Sequence, residues 1–451
     1  MGNVLPISPL TELQDRYAIL DLSGEIRVVD RRQIASVLSG AVKGDTAMYK
    51  RADAELVMKR CLEAIPYPDN PKHVIAQFWT SAKTLVYTGI EFTPRATPAN
   101  VLNYWVGPAP EPRPGNWVQL RDYLRDIICA GDEACFDYLI RYMAHMIQYP
   151  EEKPGVMIVL LGGQGTGKGV YFSLLRAIWP RTTLQVADID QVIGRFNAPL
   201  ERNYVICMDE ALFAGDRKSM DRLKSTVTEG SIQIEQKYQP SRVIDSVHRF
   251  FAASNHDHFG NVERDDRRFA FFRISDSRQQ DTAYFSTITA AIADSATLGA
   301  LVYYLLRKDL TSFNVRAKPK SQEHQKQRLM SLQGFERYWF EVLLSGSLSG
   351  ATAGGGLDST NWDSPFFVST ATILGHYTSF NRNAQRHQTV QSQQISDTLR
   401  KLCPSAQSDR QEIKSFGGTS GTARVRGFQL PSLNTARSEF ATAMKVDIAW
   451  D

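Results

Sequence analysis

Short apolar runs alternate with amphipathic stretches through the middle of the chain. The runs cover residues 156–161, 204–208, 250–254 and 269–274, and residues 182–186 predict a further short strand. Continuous apolar runs of this length are typical of strands that are buried on both faces of a parallel sheet. Apolar residues at helical spacing predict helices over 171–178 and 218–228. The alternation predicts an α/β fold with a parallel, doubly wound sheet, whose ligands lie at the carboxyl ends of the strands.

A proline-rich connector, residues 103–115, follows the first part of the chain and cannot hold a helix. Residues 1–110 predict a small α/β region with a hairpin around Gly24 and a helix over 53–62, for which Asp53 is a candidate N-cap. Residues 117–148 carry apolar side chains at helical spacing, which indicates a helical core.

The pattern from 282 to 344 is again helical, and residues 345–365, rich in Gly and Ser, predict a flexible linker or an exposed loop. A helix over 371–379, a helix over 392–402 and a hairpin over 413–430 follow, in the order of a winged-helix module. The tail's basic residues form either a DNA-binding face or a solvated surface without a ligand. They are Arg400, Lys401, Arg410, Lys414, Arg424 and Arg426.

Composition narrows the class of protein only partly. Hydrophobic content of 43% and charged content of 22% are ordinary for a globular protein. The net charge of +4 means that any DNA-binding surface is a local patch. Five scattered cysteines without a C-x-x-C pair favour a reducing compartment, free thiols and no structural zinc. The first residues lack a signal-peptide pattern, so we expect a cytoplasmic protein. The apolar stretch 288–306 contains Asp294, so we expect it to form a pair of core helices and not a membrane span.

The run 156–161 leads into a glycine-rich loop that fits G-x-x-x-x-G-K, and a predicted helix follows it. Backbone N–H groups in such a loop surround phosphate oxygens, the helix adds its positive amino end, and the lysine supplies a charge for the β- and γ-phosphates. The motif therefore predicts ATP binding by Gly162, Gly163, Gln164, Gly165, Thr166, Gly167, Lys168 and Gly169.

Gly169 departs from the usual motif, because most P-loops carry a Ser or Thr hydroxyl there as a ligand of Mg²⁺. Either water fills that coordination position, or the hydroxyl of Thr166 or Ser173 contributes.

Polar residues follow two later apolar runs. Asp209 and Glu210 end the run 204–208, where Asp209 is a candidate metal ligand for Mg²⁺ and Glu210 a candidate base for the attacking water. Asn255 ends the next run and is a candidate sensor of the γ-phosphate. These groups predict ATP hydrolysis.

Arginines precede the last run. A guanidinium near the γ-phosphate stabilises the transition state, and Arg267 and Arg268 are the candidates, with Arg268 preferred. The alternative is a turn in which they pair with Asp265 and Asp266. His256-x-His258 lacks a third metal ligand and is assigned to a loop.

The ordered set of motifs resembles superfamily 3 helicases of the AAA+ class, in the branch found in phage and plasmid primase–helicases. The resemblance covers residues 85–330. It is carried by Gly162–Gly169, Gly194-Arg-Phe-Asn197, Val205–Glu210, Ile234-Glu-Gln-Lys-Tyr238, Ala253-Ser-Asn255 and Asp266-Arg-Arg-Phe269, with flanking matches at 103–107, 305–310 and 313–315.

The resemblance implies a ring of identical subunits, usually a hexamer, with ATP between subunits and an arginine supplied in trans. It also implies a hairpin that projects into the pore and binds single-stranded DNA, here residues 236–242, with Lys237, Tyr238 and Arg242 as the contacts. A cation beside an aromatic ring suits binding that ignores base sequence. Gly169 and the lack of a preceding primase domain depart from the family, so priming is not inferred.

The resulting hypothesis is an ATP-dependent DNA helicase that replicates a phage, plasmid or other mobile element in a bacterial or phage-infected cell. A separate primase or polymerase is a candidate partner, as is duplex DNA at the tail. The alternatives are a ring-forming initiator or remodelling ATPase, and a P-loop nucleotide kinase, suggested by Gly-Lys-Gly. The predicted segments are 1–110 (accessory α/β region), 111–155 (helical region), 156–275 (AAA+ ATPase core), 276–344 (helical segment of the motor), 345–365 (linker or loop) and 366–451 (winged-helix-like domain).

Overall fold

The structure is a computed structural model that describes residues 8–450 apart from 23, 40, 42–45, 65–69, 211–216, 236–240, 258, 261–265, 320, 349–361, 384–391 and 415–421. It divides into two compact units. The first comprises Met1–Asp257 and Arg267–Pro319, and the second comprises His258–Asp266 and Lys320–Asp451. This division is coarser than the six predicted segments, whose bounds remain predictions.

The first unit begins with a small mixed sheet of order β3-β2-β1-β4. Strands β1 and β2 form the predicted hairpin at Gly24, whose φ is +95°. Asp53 lies in the first turn of α3 and Lys50 is the N-cap, so the predicted cap was wrong. The elements are α1 (Pro9–Arg16), β1 (Tyr17–Leu22), β2 (Glu25–Asp30), α2 (Arg31–Ser39), β3 (Met48–Tyr49), α3 (Arg51–Glu63), α4 (Pro71–Thr80), β4 (Val86–Tyr87), β5 (Gly89–Glu91) and β6 (Val101–Asn103).

The predicted helical stretch 117–148 is interrupted. Helix α5 (Val118–Asp122) continues into a π-helical segment (Tyr123–Ile128). Helix α6 (Glu133–Gln148) starts after a turn in which Ala130 and Gly131 have positive φ. Both helical pieces contribute buried side chains to the main hydrophobic core.

A five-stranded sheet of order β13-β7-β12-β9-β8 forms the centre of the first unit, and all of its pairs are parallel. Every residue of β7, β9 and β12 is buried, as expected for strands covered on both faces. The predicted α/β class with a parallel sheet is confirmed. The elements are β7 (Met157–Leu161), α7 (Lys168–Ile178), β8 (Thr183–Val186), α8 (Asp190–Ile193), a 3₁₀ segment (Ala198–Arg202), β9 (Val205–Met208), α9 (Arg217–Thr228), β10 (Ser231–Ile234), β11 (Arg242–Asp245), β12 (Arg249–Ser254), β13 (Phe269–Arg273), α10 (Thr282–Ala293) and α11 (Ser295–Arg307).

Helices α10 and α11 contain the longest apolar stretch. No single helix of the described chain is long and apolar enough to cross a membrane, and these two reach that length only together, bent by 74°. Buried residues of both helices join the core around the sheet.

The second unit has its own aromatic-rich core. Two helices, a strand, two further helices, a two-stranded hairpin and a last helix follow one another, and the sheet order is β14-β16-β15 with antiparallel pairs. The predicted linker 345–365 lies mostly outside the described residues. The elements are α12 (Gln322–Met330), α13 (Gly334–Ser345), β14 (Phe366–Ser369), α14 (Thr370–Asn383), α15 (Ser392–Leu402), β15 (Gln407–Lys414), β16 (Thr422–Leu430) and α16 (Leu433–Met444).

Candidate nucleotide-binding site

Three neighbouring strands of the five-stranded sheet have their carboxyl-terminal ends side by side. Strand β7 ends directly before the P-loop, β12 directly before Asn255, and β9 directly before Asp209. Strand β12 lies between the other two, and its last residue, Ser254, pairs with Leu161. Because the strands are parallel, their carboxyl ends lie at the same edge. The sheet therefore brings together three of the motifs that the sequence singled out.

The P-loop turns between the last residue of β7 and the first residue of α7. Gly165 and Gly167 have φ angles of +77° and +102°, in the left-handed region that favours glycine. A Cβ at Gly167 would lie 2.6 Å from Cε1 of Phe285, so a larger residue would displace that ring. Helix α7 begins at Lys168, and its amino end is therefore adjacent to the loop.

Lys168 is buried, and its Nζ donates to the carbonyls of Gly162 and Gly163, both at 2.7 Å. Burial lowers the pKa of Lys168, whereas the carboxylates of Asp209 and Glu210 act to raise it. The negative charges of Asp209 and Glu210 therefore favour the protonated form of the ammonium group.

Asp209 is held at both carboxylate oxygens. Its Oδ2 accepts from Nε2 of Gln185 at 3.1 Å, and its Oδ1 accepts from the backbone N–H of Glu210 at 3.1 Å. Arg176 of α7 donates to Oε1 of the same Gln185. Strand β8 and the P-loop helix therefore orient Asp209 together. Glu210 is exposed and has a φ of +54°, a conformation that non-glycine residues rarely adopt.

Asn255 is exposed immediately beyond β12. The preceding residue, Ser254, accepts from the N–H of Gly162 through its carbonyl at 3.3 Å and from the N–H of His256 through its hydroxyl at 3.1 Å. These bonds fix the end of β12 beside the start of the P-loop. His256 is exposed, and His258 lies outside the described residues.

The two candidate arginines lie at the amino-terminal ends of the strands, opposite the ends that carry the P-loop. They precede β13, whose first residue, Phe269, pairs with Met157 at the start of β7. The P-loop begins after Leu161, roughly 13 Å further along β7 at ~3.3 Å per residue. Arg267 is exposed, whereas Arg268 is half-buried and accepts from the N–H of Met157 at 2.8 Å through its carbonyl. Exposure therefore favours Arg267 over the preferred Arg268.

The hairpin β10–β11 has the predicted antiparallel pairing, with Ile234 opposite Arg242. Lys237 and Tyr238 lie outside the described residues. Arg242 is exposed and forms an ion pair with Glu201 of the 3₁₀ segment. The buried Asn197 of the Gly-Arg-Phe-Asn stretch supports β10, because its side chain donates to the carbonyl of Gln233 at 2.9 Å and accepts from the N–H of Glu235 at 3.0 Å.

Sequence reasoning missed the residues that enclose the P-loop from outside. Tyr123, Gln279, Gln280 and Phe285 all contact it. The sequence placed Tyr123 in a helical core and gave no signal for the other three, because only tertiary structure brings them to the loop. The only indication in the sequence for Gln185 was its polar side chain within the predicted strand 182–186.

In the second unit, basic side chains line one face of the β15–β16 hairpin. Arg410 and Arg426 are directly opposite each other and both are exposed. No acidic side chain in the described chain forms an ion pair with either. Arg424 faces Glu412. Like charges directly opposite each other destabilise a ladder, so this position favours a bound anion.

The basic face extends to helix α15. Arg400 donates to Oγ of Ser408 at 2.7 Å, and its guanidinium lies 5.7 Å from the ring centroid of Phe428. Lys401 is also exposed, and the side chain of Lys414 lies outside the described part of the chain.

Comparisons with known proteins relate part of the chain to a phage protein. A model of a family of unknown function, DUF5906, matches residues 160–268. The DNA primase-polymerase of Nitratiruptor phage NrS-1 is 30% identical over 148 residues, which is 30% of this chain. The chain spans only 20% of that relative's length.

Solved structures extend the likeness over both units. The apo C-terminal region of NrS-1 has a TM-score of 0.62 at 16% identity, and the match covers 94% of this chain and 99% of that chain. An A-form apo structure of the same region gives 0.62 at 15% identity, with 94% and 100% covered. The chain is thus homologous to part of the NrS-1 primase-polymerase and shares the fold of its C-terminal region.

Proposed function

We propose that this chain is the motor of an ATP-dependent DNA helicase of the AAA+ superfamily 3 type, acting in the replication of a phage, plasmid or other mobile element. The observation that carries the proposal is the meeting of the P-loop, Asn255 and Asp209–Glu210 at three adjacent strand ends. The name of the NrS-1 relative, a DNA primase-polymerase, supports the replication role.

ATP binding rests on the P-loop and Lys168. Backbone N–H groups of the loop and the amino end of α7 bind the phosphates. Lys168 exchanges the carbonyls of Gly162 and Gly163 for phosphate oxygens, which are stronger acceptors because they are charged.

Mg²⁺ fits the acidic side of the site. The ion prefers oxygen ligands and keeps several waters, and Asp209 offers a carboxylate. Gly169 offers no side-chain ligand, and the nearby hydroxyls already donate to carbonyls, from Thr166 to Gly163 at 2.8 Å and from Ser173 to Gly169 at 3.0 Å. Asp209 would therefore hold the ion together with phosphate oxygens and water. When bound, Mg²⁺ neutralises charge that develops on the phosphates.

Hydrolysis needs a base and an orienting group. Glu210 accepts the proton of the attacking water, and its exposed carboxylate leaves room for that water. The amide of Asn255, one strand away, orients the water or the γ-phosphate. A nucleotide kinase excludes water from its site, so an exposed base beside the P-loop favours hydrolysis over the kinase alternative.

A guanidinium near the γ-phosphate would stabilise the transition state, but neither of the two candidate arginines of the described chain lies beside its own P-loop. Arg267 and Arg268 lie at the far edge of the sheet, roughly 13 Å from the start of the loop along β7. A neighbouring subunit would then supply one of these two arginines, as in an oligomer of identical subunits such as a hexameric ring.

DNA binding is proposed at two places. Single-stranded DNA passes the β10–β11 hairpin, with Lys237 and Tyr238 as the contacts, while Arg242 is engaged by Glu201. Duplex DNA binds the second unit, whose order of helix, strand, two helices and hairpin is that of a winged-helix module. The backbone phosphates of DNA supply the anion that Arg410 and Arg426 favour.

The duplex contact is tested by fluorescence anisotropy with a labelled duplex at several salt concentrations. Arg410→Ala with Arg426→Ala should weaken binding and reduce the salt slope by about two, since each phosphate contact releases about one counterion. Lys72→Ala with Lys83→Ala, two exposed lysines of the first unit, is the matched control. An unchanged salt slope in the arginine variant would exclude this face.

The motor itself is tested by ATPase assays with and without single-stranded DNA. The wild type should hydrolyse ATP faster with DNA, and Lys168→Ala and Glu210→Gln should each abolish turnover, while Glu210→Gln still binds ATP. Lys72→Ala should behave as wild type. Full ATP turnover by Glu210→Gln would exclude the proposed base.

A forked DNA substrate separates the helicase from a ring-forming initiator or remodelling ATPase. The helicase displaces the strand and needs ATP hydrolysis to do so. ATP turnover and duplex binding without strand displacement would favour the initiator, and phosphate transfer to a nucleoside monophosphate would favour the kinase.

A further inference from the structure

The P-loop has an outer side as well as the inner side that faces the phosphates. A loop that turns its N–H groups inward turns its carbonyls outward, where donors from other elements can reach them. Three donors from outside the loop meet them. Nε2 of Gln279 donates to Gln164 O, the N–H of Gln280 to Gly165 O, and Oη of Tyr123 to Gly167 O, each at 2.9 Å.

Tyr123 reaches the loop from the π-helical segment Tyr123–Ile128. Such segments are rare and frequently lie at functional sites. The side chain of Tyr123 is fully buried, and burial raises its pKa well above the ordinary value. The phenol therefore keeps its proton and remains a donor to the carbonyl of Gly167.

The two glutamines lie in the connection between β13 and α10. Gln280 has a φ of +60°, which is unfavourable for a residue with a Cβ. The strain is offset in part by the bond from its N–H to Gly165. The facing loop is close to both glutamines, because a Cβ at Gly163 would lie 2.9 Å from Nε2 of Gln279 and one at Gly165 would lie 3.0 Å from Cγ of Gln280.

We propose that Tyr123 and Gln279 are positioning residues that hold the P-loop in the shape that receives a triphosphate. The inference rests on the proposed binding of ATP and extends it to two side chains outside the motif. They act through the carbonyls of Gly167 and Gln164, so their loss lowers affinity for the triphosphate and leaves the chemical step unchanged.

Calorimetric titration with a non-hydrolysable ATP analogue and with inorganic tripolyphosphate tests the inference. Tyr123→Phe and Gln279→Met each remove one donor and keep the shape of the side chain. Each should weaken both ligands by roughly threefold to tenfold, the usual effect of one hydrogen bond. In ATPase assays the KM for ATP should rise, while kcat changes by less than about twofold.

Tyr171→Phe is the matched control. Tyr171 is also fully buried in this core, and its hydroxyl has no hydrogen-bond partner in the described chain, so its removal should leave both affinities unchanged. Gln279 is exposed, so its replacement tests the inference even if Tyr123→Phe does not fold.

Other results would overturn the inference. Wild-type affinity in both variants, or a fall in kcat at unchanged KM, would show that the outer donors do not shape the loop. A loss of ATP binding with normal tripolyphosphate binding in Gln279→Met would show that this residue contacts the base or ribose instead. If the wild-type protein bound neither the ATP analogue nor tripolyphosphate, the proposed function itself would be wrong.

Discussion

Glu210, the proposed catalytic base, has an unfavourable backbone conformation. Its φ of +54° places a residue with a Cβ in the left-handed region, where the clash with the carbonyl oxygen costs roughly 1–2 kcal/mol. Strain of this kind persists at functional sites because the surrounding structure holds it. Here the N–H of Glu210 donates to Oδ1 of Asp209, so the same turn also orients the proposed metal ligand.

Because of this strain, we expect two substitutions of Glu210 to differ in stability although both abolish activity. Glu210→Gly should unfold with a free energy about 1 kcal/mol higher than Glu210→Ala, because glycine adopts the left-handed conformation without the clash. Both variants should lose ATP hydrolysis. Thermal melting of the pair measures the difference, and the same pair at Asp209, whose φ is not positive, is the control and should show the opposite order. Equal melting temperatures at position 210 would mean that the turn is not strained.

Strand β12 is connected to the hairpin by a chain of buried polar groups. Nδ1 of His248 lies 2.9 Å from Oγ of Ser246, and Nε2 lies 2.9 Å from the carbonyl of Leu200. Lys153 donates to the same Oγ and to the carbonyl of Thr226. The arrangement suits a neutral imidazole that accepts from Ser246 and donates to Leu200. Burial, followed by the charge of Lys153, lowers the pKa of His248 to about 3.

The lowered pKa predicts a loss of stability in acid. Below about pH 6.5 the unfolded chain protonates His248, while the folded chain does not until about pH 3. The unfolded state therefore binds more protons in this window, and the free energy of unfolding falls by about 1.4 kcal/mol per pH unit as pH decreases. Above pH 6.5 the group contributes nothing to the pH dependence.

Urea unfolding at pH 7 and pH 5 measures this effect. His248→Gln keeps one donor and one acceptor but does not titrate, so it should lose about 2 kcal/mol less than the wild type between the two pH values. Parallel losses in the two proteins would show that His248 is protonated or accessible in the folded state.

The elements that sequence predicted well are those whose pattern is local. The buried strands and the order of the tail's helices and hairpin follow from apolar runs and helical spacing, which each segment carries by itself. The π-helical segment and the turn at Ala130 escaped, because the apolar side chains at helical spacing continue on both sides of them and do not mark a break. Likewise, the strand ends that carry Asp209 and Asn255 were predictable, whereas the support from Gln185 and Gln279 required the folded chain.

At the scale of the whole molecule, the first unit separates two parts of one proposed active site. The P-loop lies at the carboxyl-terminal ends of the strands, and Arg267 and Arg268 lie at the amino-terminal ends. An interface between identical subunits can join the two ends, and a single subunit cannot. The exposed Arg267 is then the better candidate to reach a neighbour's γ-phosphate.

Subunit mixing tests this arrangement directly. One variant, Lys168→Ala, retains both arginines but cannot bind ATP productively. The other, Arg267→Ala with Arg268→Ala, binds ATP but lacks the guanidinium. Each should be inactive alone, and their mixture should regain ATP hydrolysis, because the first supplies arginines to the nucleotide held by the second. A mixture of the arginine variant with a triple variant, which combines Lys168→Ala, Arg267→Ala and Arg268→Ala, should stay inactive, since neither member then carries the arginines. Activity in the arginine variant alone, or no recovery in the first mixture, would exclude an arginine in trans, and Arg267→Ala tested singly identifies which of the two guanidinium groups acts.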